Sequence, residues 1–474
     1  MDQIHTPLYS ALLNHLSKEP NSFHVPGHKN GTVFPDIAVE HFQKILKLDL
    51  TELTGLDDLH DPESGISYAQ KLVADLYNVR NSFFLVNGST VGNLSMIMAT
   101  CSYGDTVLVQ RNSHKSILHG LELAGVRPVY LNPRYDNHVR VASHVPFSTI
   151  KKAIKEYPDA KALILTNPNY YGMTADLTEI VQHAHQYSIP VLVDEAHGAH
   201  FVLDSFPKSA LEAGADIVVH SAHKTLPAMT MGSYLHVNSE LVDVRVVSRY
   251  LQILQSSSPS YPIMASLDLA RYYLASLKAQ GTLEIVKQLN KFKQELREIK
   301  NIKVVESHNC VLETDPLKIT IQTTSGYTGY QLQSLLEQKG IFSEMADPYN
   351  VLFVMPLSVT KNQSIVIEKI REAASEIDES SARIVYNQVE LDDISELAVS
   401  YAQLKNYNKI AIDVAKAVSK IAGEMIIPYP PGIPLLMPGE IITQNHINML
   451  ESFLDTGVKF QGNKLKDRKI KVLE

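Results

Sequence analysis

Five short apolar runs constrain this chain more than any other feature. "GDTVLVQR", "RPVYL", "AKALILTNP", "IPVLVDEAH" and "ADIVVHSAH" all fall between residues 104 and 223. They are rich in Val, Ile and Leu and lack the period-two alternation of a sheet with one wet face. Such runs suit strands buried on both sides of a mainly parallel sheet. In "TADLTEIVQHAHQYS", Leu177, Ile180, Val181 and Ala184 recur at helical spacing, with Thr174 or Asp176 as the expected N-cap. Strand, helix and strand make a βαβ unit, so residues 63 to about 270 read as α/β.

Beyond that region, "SSSPSYPIMASLDLARYYLASL" gives a Pro/Ser break and a long helix. An α+β section follows, with "LKITIQ" as a strand and "TGYQLQSLLEQKG" as a helix ending at Gly340. After Asp392 the pattern reads as largely helical up to "EMIIPYPPGIPLLMPGE". The basic tail "KFQGNKLKDRKIKVLE" reads as a solvated end. No apolar run approaches the ~18 residues of a membrane span, and no secretory signal opens the chain. A net charge of -8 with interspersed signs gives no nucleic-acid surface. Two cysteines, Cys101 and Cys310, make no disulfide framework, so a reducing, cytoplasmic setting is expected. Cys101, after an apolar helical run, reads as a core filler.

Four features fall just beyond these strands, where open α/β sheets bind ligands. Lys224 in "VVHSAHKT" follows a buried approach that would desolvate its amine and free it for Schiff-base chemistry. Alone, it reads more simply as a surface lysine in a loop. Asp194 in "VLVDEAH" is a carboxylate at the end of an apolar strand and needs a cationic partner or a capping role. In "FFLVNGSTVGNLSMIMAT" a strand ends near Val86 and a helix begins near Gly92, so Ser89 and Thr90 form a phosphate cradle of weak specificity. His114, after "TVLVQ", stands where it could lie against an aromatic cofactor or be merely structural. One cofactor, pyridoxal 5'-phosphate, would satisfy all four.

The chain resembles the ornithine/lysine/arginine decarboxylases, pyridoxal phosphate enzymes of the aspartate-aminotransferase fold (fold type I), in a short form without an N-terminal receiver-like domain. "FHVPGHKNG", "DLTELTGLDDLHDPESGI", "SAHKT" and "YPPGIPLLMPGE" carry the resemblance across nearly the whole chain. It implies an N-terminal arm over 1–62, a cofactor-binding large domain over 63–275, a small α+β domain over 276–391 and a C-terminal domain over 392–474. It implies that Lys224 carries the cofactor, that Asp194 pairs with its pyridinium, and that His114 and Ala196 flank the ring. Ser89, Thr90, Ser221 and His223 would bind phosphate, and His197 would approach the phenolic oxygen. Ser256 and Ser258 would reach a neighbouring subunit, implying a homodimer or larger assembly with shared sites. Glu440 would meet the distal cation of a basic amino acid, and no metal is expected.

An aminotransferase or oxoamine synthase of the same fold, or a silent binding protein, remains the rival reading. An aminotransferase needs a late arginine for the α-carboxylate, yet after Asp392 there is none before Arg468, with Arg371 and Arg383 somewhat earlier. The intact Lys224, Asp194 and His114 argue against a silent protein. No G-x-G-x-x-G opens a helix, which disfavours a dinucleotide-binding fold.

Overall fold

The computed structural model describes residues 1–378, 392–429, 434–455, 458–461 and 465–474. It divides into two compact units, one of residues 1–100 with 190–282 and one of residues 101–189 with 283–474. The strands of the α/β region are, in chain order, β1 (Asn81–Leu85), β2 (Thr106–Gln110), β3 (Arg127–Leu131), β4 (Ala162–Thr166), β5 (Val191–Asp194), β6 (Ile217–His220) and β7 (Ser233–Val237). All five expected runs form strands.

In the first unit the strand order is β1-β7-β6-β5. β5 and β6 run parallel with Asp194 opposite Val219. β7 is antiparallel to both of its neighbours. Every residue of β5, β6 and β7 is buried, which is why these runs show no alternation. Helix α1 (Gly88–Thr100) follows β1. It starts four residues before the expected Gly92, because Gly88 takes a left-handed φ of 78° and closes the turn itself. Gly92 instead serves packing: a Cβ there would lie 2.8 Å from Leu85 and 2.9 Å from Val219.

Two buried carboxylates fasten the N-terminal segment. Asp57, in "GLDDLHDPESGI", accepts the backbone N–H groups of Glu63, Ser64, Ile66 and Ser67 and so caps the helix Gly65–Leu76. Asp268, on the long helix Tyr261–Gln280, accepts Leu8 N–H at 3.0 Å and pairs with Arg271 at 2.8 Å. Arg271 in turn donates to the carbonyls of Gln3 and His5.

In the second unit β2 lies between β4 and β3, parallel to both, and Ile394–Glu396 adds antiparallel to β3. Helix α2 (Lys115–Ala124) follows β2. Cys101 is buried, as expected, and burial raises its thiol pKa to about 12. The helix after β4 starts at Thr178, later than the sequence suggests. Thr174 lies in the short strand Met173–Ala175, while Asp176 accepts Thr178 N–H at 2.9 Å from just outside the helix. The strands Ile302–Val305, Lys318–Thr323, Asn350–Val354 and Met345–Ala346 form an antiparallel sheet in that order. The helix Gly329–Gln338 follows "LKITIQ" as expected, capped by a reciprocal Thr328–Gln331 pair.

The C-terminal region departs from expectation. Between residues 392 and 428 the α-helical content is a single turn, Tyr401–Leu404, and Lys409–Asp413 is a strand. It pairs antiparallel with Lys469–Leu473, the supposed solvated tail. Its Lys-Ile-Lys-Val alternation buries Ile470 and Val472 in a core with Val414, Leu436 and Leu450. A period of two in a lysine-rich segment is a strand signal that charge alone conceals. Among the described residues no helix is long and apolar enough to cross a membrane.

Candidate active site

β5 delivers Asp194 at its end, 3% exposed. One carboxylate oxygen accepts Asn93 Nδ2 at 2.9 Å and the other accepts Ala196 N–H at 3.2 Å. No lysine, arginine or histidine pairs with it among the described residues. A buried carboxylate held only by neutral donors is an unbalanced charge, and such a group calls for a cation.

The neighbouring parallel strand β6 ends at His220 and runs into a helical turn, Ala222–Thr225, which carries Lys224. Lys224 N–H donates to Ser221 O at 3.1 Å, and its Nζ lies 2.9 Å from Nε2 of His197. His197 is buried. Ala196, between Asp194 and His197, is buried, and its carbonyl accepts Ser221 N–H at 3.2 Å. The small methyl leaves room on that side of the strand end.

Ser221 is fully buried, and its hydroxyl donates to Ser89 Oγ at 2.8 Å. Ser89 and Thr90 occupy the first turn of α1, whose amides lack partners four residues back. His223 is half-buried, with Nδ1 3.1 Å from Gly232 O. Ser256 and Ser258 are exposed, and Ser256 N–H donates to Asn87 Oδ1 at 3.3 Å beside the start of α1. His60 reaches the carbonyl of Ser256 at 2.8 Å. Thus Ser89, Thr90, Asp194, Ala196, His197, Ser221, His223, Lys224, Ser256 and Ser258 all lie in the first unit.

His114 and Glu440 lie in the second unit. His114 is the N-cap of α2: its Nδ1 accepts Ser116 N–H at 3.3 Å and lies 2.8 Å from Ser116 Oγ. The carboxylate of Glu440, expected to meet a substrate's distal cation, is closed on Arg111. The ion pair is bidentate, with Nη1 to Oε1 at 2.7 Å and Nη2 to Oε2 at 2.8 Å. Oε2 also accepts Met437 N–H at 3.0 Å. Both side chains are buried, so Glu440 presents no unengaged carboxylate oxygen to a ligand. Residues 430–433 of "YPPGIPLLMPGE" and Arg383 lie outside the described residues. Arg371 is exposed and pairs with Glu368.

Sequence reasoning missed Asn93 and Arg111. Each carried the signal used for Asp194, a polar or charged group inside or directly after an apolar run. Among the described residues no cluster of His, Cys, Asp or Glu could hold a metal.

Comparison with known proteins bears on this geometry. Residues 6–313 match the family model described as "Orn/Lys/Arg decarboxylase, major domain". Residues 385–464 match that family's C-terminal domain. The uncharacterized protein YaaO of Bacillus subtilis is 49% identical over 99% of this chain and 98% of its own length. An arginine decarboxylase of the same organism is 36% identical over 98% of this chain and 96% of its own. The constitutive lysine decarboxylase of E. coli superposes with a TM-score of 0.83 at 21% identity, covering 100% of this chain and 82% of that one. A Sphingomonas wittichii serine palmitoyltransferase gives 0.54 at 19% identity over 72% of this chain. The expected α/β, aspartate-aminotransferase-like fold of type I pyridoxal phosphate enzymes is therefore the fold observed.

Proposed function

The chain belongs to the Orn/Lys/Arg decarboxylase family and is a decarboxylase, and from that premise we propose that it uses pyridoxal 5'-phosphate to remove the α-carboxyl group of arginine. Lysine and ornithine share the same chemistry with a different distal cation. The preference for arginine rests on relatives named arginine decarboxylase at 36% and 35% identity over 98% of this chain.

The observation that carries the reading is the buried carboxylate of Asp194, which no cationic side chain among the described residues meets. It fits a protonated ring nitrogen, and the rest of the site fits the rest of the group. Lys224 supplies the amine for the aldehyde, and His197 is in place to exchange a proton with that amine at 2.9 Å. Ser89, Thr90, Ser221 and His223 supply hydroxyls, amides and an imidazole for a phosphate, while the small Ala196 is assigned to one ring face. When bound, the cofactor supplies an electron sink for the pair left behind as carbon dioxide departs. Asp194 keeps that sink charged by holding the ring proton in place. Lys224 Nζ would also be the group able to return a proton to the substrate carbon.

A second copy of the chain is part of the reading. Phe23 is 94% exposed, Ile37 95% and Val25 65%, bare apolar side chains of the N-terminal segment that a second copy could cover. Ser256 and Ser258, also exposed, are assigned to the neighbour's site. The test is mass spectrometry of products after the protein and pyridoxal phosphate are given each basic amino acid separately. The amine with loss of carbon dioxide supports the reading, a keto acid points to transamination, and no product from any of the three overturns it.

A further inference from the structure

Asp194 and Glu195 are consecutive, and strand alternation turns them apart. While Asp194 meets Asn93, Glu195 enters a polar tier of its own. It is 0% exposed and accepts Ser209 Oγ at 2.5 Å, Ala210 N–H at 2.8 Å and His220 Nε2 at 2.7 Å. His220, also 0% exposed, presents Nδ1 to Nε2 of His236 at 3.0 Å. His236 presents Nδ1 to Ser82 Oγ at 2.8 Å. Tyr77 packs against both rings, with centroids 5.2 and 4.6 Å away.

More than one proton arrangement satisfies every bond, and with Glu195 ionised each of them has His220 Nε2–H donating to Glu195. In one, Ser82 donates to His236 and His236 donates through Nε2–H to His220; in another, His220 donates through Nδ1–H to His236 and His236 through Nδ1–H to Ser82. The tier crosses β1, β7 and β6 and ends on the residue after β5. Its last bond joins the ends of the two parallel strands that carry the site. Glu195 directly follows Asp194, and His220 directly precedes Ser221 and the turn with Lys224. Gly198 is part of the device, since a Cβ there would lie 2.5 Å from Glu195 Cγ.

We propose that Glu195 and His220 are positioning residues, a buried latch that sets Asp194 and Lys224 relative to each other. The inference rests on the reading of the site given above. It assigns neither residue a contact with substrate or cofactor.

Nitrogen-15 NMR of the imidazoles in the unaltered full-length chain, with and without pyridoxal phosphate, reads the latch directly. His236 is expected neutral, and His220 is expected to carry a proton at Nε2 in its bond to Glu195. A His220 whose Nε2 carries no proton overturns the proposal. Kinetics supply the second arm. Glu195→Gln, and Gly198→Ala, which removes no hydrogen-bonding group, are expected to lower kcat by roughly a hundredfold, the scale of a small misplacement of reacting groups, with KM little changed. His220→Gln keeps a side-chain donor and should retain about tenfold more kcat than His220→Leu. Equal losses in those two, or a loss that only follows the unfolded fraction, reduce the tier to packing and overturn the proposal. If the unaltered protein decarboxylates no basic amino acid while the NMR holds, the functional reading fails and the latch bond stands.

Discussion

The amine of Lys224 and Nε2 of His197 stand 2.9 Å apart, within hydrogen-bond reach, on turns that follow two adjacent parallel strands. Two basic groups this close share one proton at that bond, as ammonium to imidazole or imidazole to amine. Lys224→Ala should abolish the visible absorbance that bound pyridoxal phosphate gives, and an unchanged spectrum would remove Lys224 from its assigned role. His197→Ala should keep the absorbance yet lose about 10²-fold in kcat, the usual scale for a proton-transfer partner. Wild-type turnover in that variant would leave the contact without a catalytic use.

Asp194→Asn separates a binding role from a structural one. The amide is nearly isosteric and removes a buried charge that has no cation among the described residues. Without cofactor, the variant should melt at or above the unaltered chain. With cofactor the order should reverse, because ligand-linked stabilisation, about 2.7 kcal/mol at a hundred times Kd, shrinks as affinity falls. Thermal scans at several cofactor concentrations give both numbers. A variant that gains as much from cofactor as the unaltered chain does would place the ring nitrogen elsewhere.

Arg111 and Glu440 test where substrate recognition lies. A buried bidentate pair that loses one partner leaves a stranded charge, at a cost of about 3–5 kcal/mol. Glu440→Gln should therefore lower the urea midpoint sharply. The joint change Arg111→Met with Glu440→Leu should recover most of that loss, as apolar replacements of buried pairs do. If Glu440→Gln instead keeps the midpoint and raises only KM for a basic amino acid, the carboxylate leaves Arg111 for the substrate during turnover.

What was legible in the sequence follows from how local each cause is. β5 and β6 could be read because a strand buried on both faces must be continuously apolar. The same logic exposed Asp194, a charge at the end of such a run, and Lys224, a charge four residues past one. Asp57, by contrast, sits in a quoted motif, but its bonds to the backbone of residues 63–67 could not be read, since any loop aspartate looks alike until the helix it caps is placed. Arg111 and Glu440 are 329 residues apart, and no local pattern announces a pair at that distance. The C-terminal strands failed for a different reason. Both strands are short; "KIKVL" alternates exposed lysines with buried Ile470 and Val472, so charge hid the alternation, while "KIAID" is exposed at every residue but the half-buried Ile412 and offers no apolar face to read.

Acid should destabilise this protein through histidines that are buried neutral. His236 is 0% exposed, and burial, then the neighbouring His220, pushes its pKa well below the ordinary 6.5. His446 is also buried, and desolvation lowers its pKa, with Arg111 acting in the same direction and Glu440 opposing. For a base whose folded pKa is depressed, the unfolded chain takes up a proton that the folded chain refuses. The stability it contributes is complete above about pH 6.5 and is lost as pH falls below that value. The slope approaches ~1.4 kcal/mol per pH unit for each such histidine. Tyr77, Tyr234 and His220 are the titratable rings around His236, and none offers it a compensating anion. Urea midpoints measured from about pH 7.5 to about pH 5.5 should therefore decline, and His236→Gln, which removes the titrating ring, should flatten that decline. A variant whose midpoint falls with pH as steeply as that of the unaltered chain would mean that the acid response originates elsewhere.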